Sequence, residues 1–330
     1  LFKKKIEFGN YTLTFGKDKV LLDYLSEIVM PSFLEMKYTK KFKDTEYFFL
    51  DTELIKLGNN KEPILAIKGK IVKNTKIKRH QIFENGSIVD DKKELESAPS
   101  SSFLLILNNH RIIFTKDVPS APTLKNLETT SKSFLTKRYD EYINKIYKEQ
   151  NKKVSKKILK IKTPKPTLRI TPLTDSESLK NFVLRFEKIN NLTIKLLTTN
   201  NEELDNDDFW TSLDKNNTDM NSLSAKVEFT NNTASLNSEE VLSQTESASS
   251  MGNSEIRIKG MDDKGDSIIG NNDDFSLTVD VKSYTEDIED ITKIQFEEFK
   301  RLSKEKVIDI PKTKKTTLNK IINLITALSL

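Results

Sequence analysis

The chain of 330 residues contains no cysteine. Disulfides and thiolate metal sites are therefore excluded, and a reducing compartment is the default. Glycine is scarce, with nine in all and none between Gly86 and Gly252. The Gly-Lys-Ser/Thr phosphate loop, the dinucleotide fingerprint and the G-x-S-x-G nucleophile elbow are all absent. The only two histidines, His80 and His110, have no cysteine or second histidine nearby to complete a zinc site. They read as ordinary surface or hairpin residues. No apolar stretch reaches the ~20 residues that span a bilayer. The opening "LFKKKIEFGNYTL" has lysines but lacks the apolar run of a secretory leader. These absences predict a soluble, cytoplasmic protein, and no cofactor is expected.

What the chain has is charge, unevenly placed. Charged residues are 31% and hydrophobic ones 36%, polar for a globular protein but not a disordered composition. The net charge of +5 hides a split. Residues 1–131 carry 22 basic and 17 acidic side chains, residues 132–170 carry 13 and 3, and residues 171–330 carry 19 and 29. A concentrated positive segment thus lies between a mildly basic region and an acidic one, which bears on partners rather than on fold.

The hydrophobic pattern predicts an α+β fold: two lobes of mostly antiparallel sheet with packed helices, joined by a long basic helix and a proline-containing hinge. The expected N-terminal lobe covers 1–123. It opens with two short strands turning at Gly9-Asn10 and a helix over "KDKVLLDYLSEIVMPSFL" that Pro31 should end. Two strands separated by Gly58-Asn59-Asn60 follow, then "GSIVDDKKELESAPSS" as turn and linker. The lobe closes with a hairpin pivoting on Asn108-Asn109. Residues 124–166 form the long amphipathic helix and hinge. Its apolar stripe runs from Leu124 to Ile146, continues through Val154, Ile158 and Ile161, and stops at Thr163-Pro164-Lys165-Pro166. A second lobe spans 167–310, with hairpins at Asn190-Asn191 and Asp263-Lys264-Gly265 and a Ser/Asn-rich insert near 231–255. The tail 311–330 is basic, then apolar, with docking on the protein's own core as the default.

The basic segment is the candidate site. Lys137 and Arg138 begin it. Lys152, Lys153, Lys156, Lys157 and Lys160 recur at helical spacings, and Lys162, Lys165 and Arg169 extend it. Like charges so placed repel, so an anion beside them would stabilise the arrangement. Interleaved Tyr139, Tyr142 and Tyr147 can bond phosphates or line the core. Lysine predominance suits phosphate contact more than base reading. The bland alternative is a solvated helix and hinge without a partner. The enzymatic alternative is a metal-dependent nuclease using Asp266, Asp280 and Lys282, carboxylates for Mg²⁺ and a lysine for the attacking water. A protein-interaction module without nucleic acid is the third reading. The acids Glu202, Glu203, Asp207 and Asp208 could compete with DNA for the basic face.

The layout resembles the RexA-like phage-exclusion proteins. The similarity rests on "SFLLILNNHRIIFTKDVPSAPTLKNL", then "LRITPL", "VLRFEKINNLTIKLL" and "EIRIKGMDDKGDSII", with a closing amphipathic helix. It extends over most of the chain. A second, looser resemblance is to the KwaB proteins of the Kiwa defence system. Together they imply a cytoplasmic, non-catalytic homodimer that holds double-stranded DNA largely without regard to sequence. It would sense phage infection beside a membrane-protein partner. The longer Lys-rich helix and the 231–255 insert depart from the RexA pattern, and no catalytic residue carries over.

Overall fold

A computed structural model describes residues 3–16, 19–59, 62–197, 208–220, 222, 224–250, 252–281, 287–308 and 315–328. The fold is α+β, with two antiparallel sheets. The chain opens with β1 (Lys5–Phe15) and β2 (Lys19–Val20). A 3-10 turn, a π turn and α1 (Met30–Leu34) lead to β3 (Lys40–Phe42), β4 (Thr45–Gly58) and β5 (Pro63–Glu84). Then come β6 (Ser87–Ser97), β7 (Ser100–Ile106) and β8 (Arg111–Lys116). Two helices follow, α2 (Leu124–Glu149) and α3 (Lys156–Lys162), then β9 (Pro166–Pro172) and α4 (Ser176–Val183). The second sheet is built from β10 (Lys188–Leu197), β11 (Ser224–Thr230), β12 (Ser254–Met261) and β13 (Ser267–Asn271). Between its strands lie α5 (Asp208–Asp219) and α6 (Ser238–Ser250). The chain ends with β14 (Thr278–Asp280), α7 (Ile288–Lys304) and α8 (Lys315–Leu328).

β1 organises the first sheet. It pairs with β8 through Ile6–Asn10 and with β9 through Gly9–Phe15, while β14 holds its start through Lys5–Glu7. The second sheet has the order β11-β10-β12-β13. It is therefore an insertion between two strands, β9 and β14, that both return to the first sheet. The expected boundary at 167 cuts this arrangement, because backbone pairing ties 166–172 to β1.

Aromatic and aliphatic side chains from β1, β4, β5, β7 and β8 meet α1 and α2 in the main core. Stacked Phe33 and Phe49, 4.9 Å apart, with Phe103 and Phe134 form its centre. The opposite face of the sheet is covered by α7 through Phe296, Phe299 and Leu302. α8 buries Ile321 and Ile325 in the main core, so the tail docks on its own chain. A separate cluster around Trp210, Phe275 and Ile258 stabilises the second sheet.

Several local expectations are corrected. Gly9-Asn10 lies inside one continuous strand, because β8 and β9 supply hydrogen-bond partners along its length. Asn190-Asn191 likewise sits in one strand, where β10 carries a bulge against β12. Pro31 stands in the first turn of α1, where its missing N–H costs nothing, instead of ending a helix. The segment 87–97 is a strand turned back on β5 by left-handed Asn85 and Gly86. The Ser/Asn-rich 231–255 segment contains α6, whose Val241 and Ala248 are buried. The hairpins at Asn108-Asn109 and Asp263-Lys264-Gly265 form as expected.

Candidate nucleic-acid interface

The long basic helix is two helices. Thr123 caps α2 by accepting the Asn126 N–H at 3.2 Å, and Asn126 bonds back to the Thr123 N–H. After Glu149 the chain reverses. Asn151 and Lys152 take left-handed φ values of 49° and 62°, which no α-helix passes through. Ser155 then caps α3. α3 packs back along α2: the Lys156 amine reaches Asn144 at 2.6 Å and the Lys160 amine approaches Asp140 at 4.0 Å. The Tyr139 hydroxyl donates to the Thr163 carbonyl at 2.8 Å and fastens the end of α3. The helix stops at Thr163, the first residue of the expected Thr163-Pro164-Lys165-Pro166 stop.

The expected apolar stripe does not continue through this turn. Leu159 is the residue of α3 that reaches the core, with Val154 partly buried beside it. Ile158 and Ile161 point outward, 46% and 70% exposed. A helix that reverses after a six-residue turn resets its phase, so stripes counted across the break lose their meaning.

The ten predicted basic residues fall into four groups. Lys137 and Arg138 are held by the fold. Lys137 donates to the Thr39 carbonyl at 2.7 Å, and Arg138 to the Glu27 carbonyl at 2.9 Å. Arg138 also sits 3.5 Å from both Glu35 and Glu141. Nearby Lys37 bonds the same two acids, and these bonds raise its pKa. Arg169 belongs to β9 and pairs with Glu255 at 3.2 Å across the gap between the sheets. Lys156 and Lys160 lean on α2, and Lys156 also lies 5.2 Å from the Tyr147 ring centre. The remaining five, Lys152, Lys153, Lys157, Lys162 and Lys165, are exposed and have no ion pair among the described residues. They stud the turn, the outer side of α3 and the strand entry after it. The tyrosines serve the core: Tyr139 is buried, and Tyr142 and Tyr147 pack against it.

No family model matches the chain, and no curated protein matches it either. The site therefore rests on its own geometry.

Sequence pattern alone missed a second charged place. A cleft of about 610 Å³ opens between β9 and the second sheet. Arg169, Lys195 and Arg257 line it, together with Glu128, Glu255 and Asp273. Glu255 bridges Arg169 and Lys195 at 3.2 Å each, and Lys125 holds Glu128 at 2.9 Å. Its cations are largely matched by acids, so it attracts a phosphate backbone less than the α3 face does. The only hint in the sequence would have been the alternating charges of β10 and β12, which many solvent-facing strands share.

The nuclease residues do not share one element. Asp266 closes the β12–β13 turn of the second sheet, where its N–H donates to Asp262 at 2.8 Å. Asp280 pairs opposite Lys5 in the first sheet. Lys282 lies outside the described residues, as do Glu202, Glu203 and Asp207, while Asp208 opens α5. No group of three His, Asp or Glu suited to a metal occurs among the described residues. No helix among them is long and apolar enough to cross a membrane. His110 is a hairpin residue, buried in the β7–β8 turn, and His80 is an exposed one.

Proposed function

We propose that the chain binds double-stranded DNA through its phosphates, largely without regard to sequence, using the α2–α3 turn and the outer side of α3. The supporting observation is the set of five exposed, unpaired lysines, 152, 153, 157, 162 and 165, on one short stretch of backbone. Lysines gathered with no acid to answer them repel one another, and a polyanion relieves that repulsion while releasing its counterions. Point-charge ammonium groups contact phosphates without reading bases. In this reading Lys156, Lys160 and Arg169 lend field strength, and Lys137 and Arg138 are structural. The protein is non-catalytic and cytoplasmic, acts as a homodimer, and senses infection for an antiphage exclusion system of the RexA-like kind.

Replacing the five lysines with glutamate tests the site. Anisotropy of a labelled duplex should show affinity falling at least a hundredfold. Charge reversals on the ion-paired face of α7, at Lys293, Lys300 and Arg301, should change it little. Unchanged affinity of the α3 variant would remove the proposal.

A second reading is favoured by Ile158 and Ile161. Two large apolar side chains standing among lysines suit a protein surface better than a phosphate row. Here α3 would face the membrane partner of the same system. Ile158→Ser with Ile161→Ser would then abolish partner capture and spare duplex binding.

A further inference from the structure

Beyond residue 74, β5 leaves its neighbours. Its last pair with β4 is Glu46 opposite Asn74, and its last with β7 is Val72 opposite Ser100. From Thr75 to Glu84 it pairs with β6 alone, forming a two-stranded arm about 30 Å long. Such a ribbon has no core of its own, and isolated ones are marginal in water.

The two faces of the arm differ. Side chains of paired residues share a face, and faces alternate along each strand. One face carries Lys76 and Lys78 opposite Glu96 and Glu94, with Lys76 bonding Glu94 at 3.2 Å. That face is satisfied by ion pairs near the body and carries one apolar pair, Ile82–Val89, toward the tip. The other carries the apolar pairs Ile77–Leu95 and Phe83–Ile88. These four are 52%, 55%, 76% and 69% exposed. Nearer the body the same face of β5 carries Ile67 and Ile71, both buried in the main core. Lys73 and Thr75 interrupt that face, and beyond them, where the body no longer covers it, the apolar pairs resume.

Between the apolar pairs lie Arg79 opposite Lys93 and Gln81 opposite Asp90, separated by a bulge. Along the arm the order is apolar, cationic, polar-acidic, apolar. Turned end for end, it complements itself: Ile77 and Leu95 meet Phe83 and Ile88, and Lys93 meets Asp90.

We propose that this face is where two copies of the chain associate, antiparallel, about a two-fold axis between Arg79 and Gln81. A two-fold interface requires a patch that matches itself when rotated, and this one does. Nucleic acid is a poorer occupant, because Glu94 answers Lys76 and Lys78, and Asp91 answers Arg79. The face is narrow for a stable interface, so the dimer dissociates in the micromolar range. This deepens the homodimer part of the proposed function and stands apart from its DNA part.

Sedimentation equilibrium of the full chain, at about 1 to 100 μM, reads the outcome directly. Wild type should pass from monomer to dimer. Phe83→Ser with Ile88→Thr should stay monomeric with its near-UV spectrum unchanged, since the arm lies outside both cores. Asp90→Lys alone and Lys93→Asp alone should each weaken association at least tenfold. The double swap, Asp90→Lys with Lys93→Asp, should restore it. A wild type that remains monomeric removes the homodimer itself. A dimer that survives the apolar double variant, or a swap that fails to restore association, overturns the arm as its interface.

Discussion

His110 shows how much one buried side chain can weigh. It closes the β7–β8 turn with a left-handed φ of 56°, and its carbonyl accepts the Tyr11 N–H at 2.7 Å. Burial, helped by neighbouring Arg111, pushes its pKa down to about 4. The unfolded chain takes up that proton near the ordinary value of about 6.5. Between these values the unfolded state binds more protons, so this contribution to stability is whole above about 6.5 and is lost as pH falls toward 4. Asn tolerates the left-handed backbone and does not titrate. His110→Asn should therefore lose roughly 2 to 3 kcal/mol less than wild type between pH 7 and pH 4.5, as read by urea unfolding. An identical loss in both proteins would exclude His110 as a source of acid sensitivity. Gly260 is the second residue of this weight. It pairs with Ile189 where β10 bulges, and a Cβ there would collide with the Lys188 carbonyl and the Phe186 ring. Gly260→Ala should destabilise the second sheet by roughly 3 kcal/mol, visible as a lowered melting temperature.

At the scale of elements, the α2–α3 reversal decides which lysines face outward. Tyr139 fastens it with one hydrogen bond and no charge. Tyr139→Phe should cost about 1 kcal/mol and speed amide exchange within α3, while leaving the number of lysines unchanged. Protected α3 amides in the variant would show that packing of Leu159 suffices. This element also marks the limit of sequence reading. Apolar periodicity made α2, α7 and the hairpins at Asn108 and Asp263 legible, because each buries a stripe against its neighbours. The break at Asn151 was not legible. Lysines and asparagine at 150–153 suit a solvated helix as well as a turn, and what chooses is the tertiary contact of Leu159 and Tyr139. The same holds for Gly9-Asn10, a turn by composition and mid-strand in the fold. Strand 87–97 was hidden for another reason, as was the place of strand 166–172 in the first sheet: their partners lie on β5 and β1, and pairing is not written in either segment alone. Of the candidate site, the composition was legible and the accessibility was not. Nothing in "KRYDE" distinguishes an arginine held by the Glu27 carbonyl from one free to meet a phosphate.

For the whole molecule the question is where its charge can act. Ion pairs leave the net charge of +5 unchanged but localise it, and the acidic region sits beside basic residues that it neutralises, as Glu255 does for Arg169 and Lys195. The α3 face gathers five lysines with no ion pair among the described residues. If the proposed dimer forms through the β5–β6 arms, each assembly presents two such faces, and a duplex long enough to reach both should bind more tightly than a short one. The direct test is the salt dependence of duplex binding by the wild-type chain. Five lysines on phosphates predict that log affinity falls with log salt at a slope near about −4.5, equal for duplexes of unrelated sequence. A slope near zero, or no binding at low salt, would contradict the account.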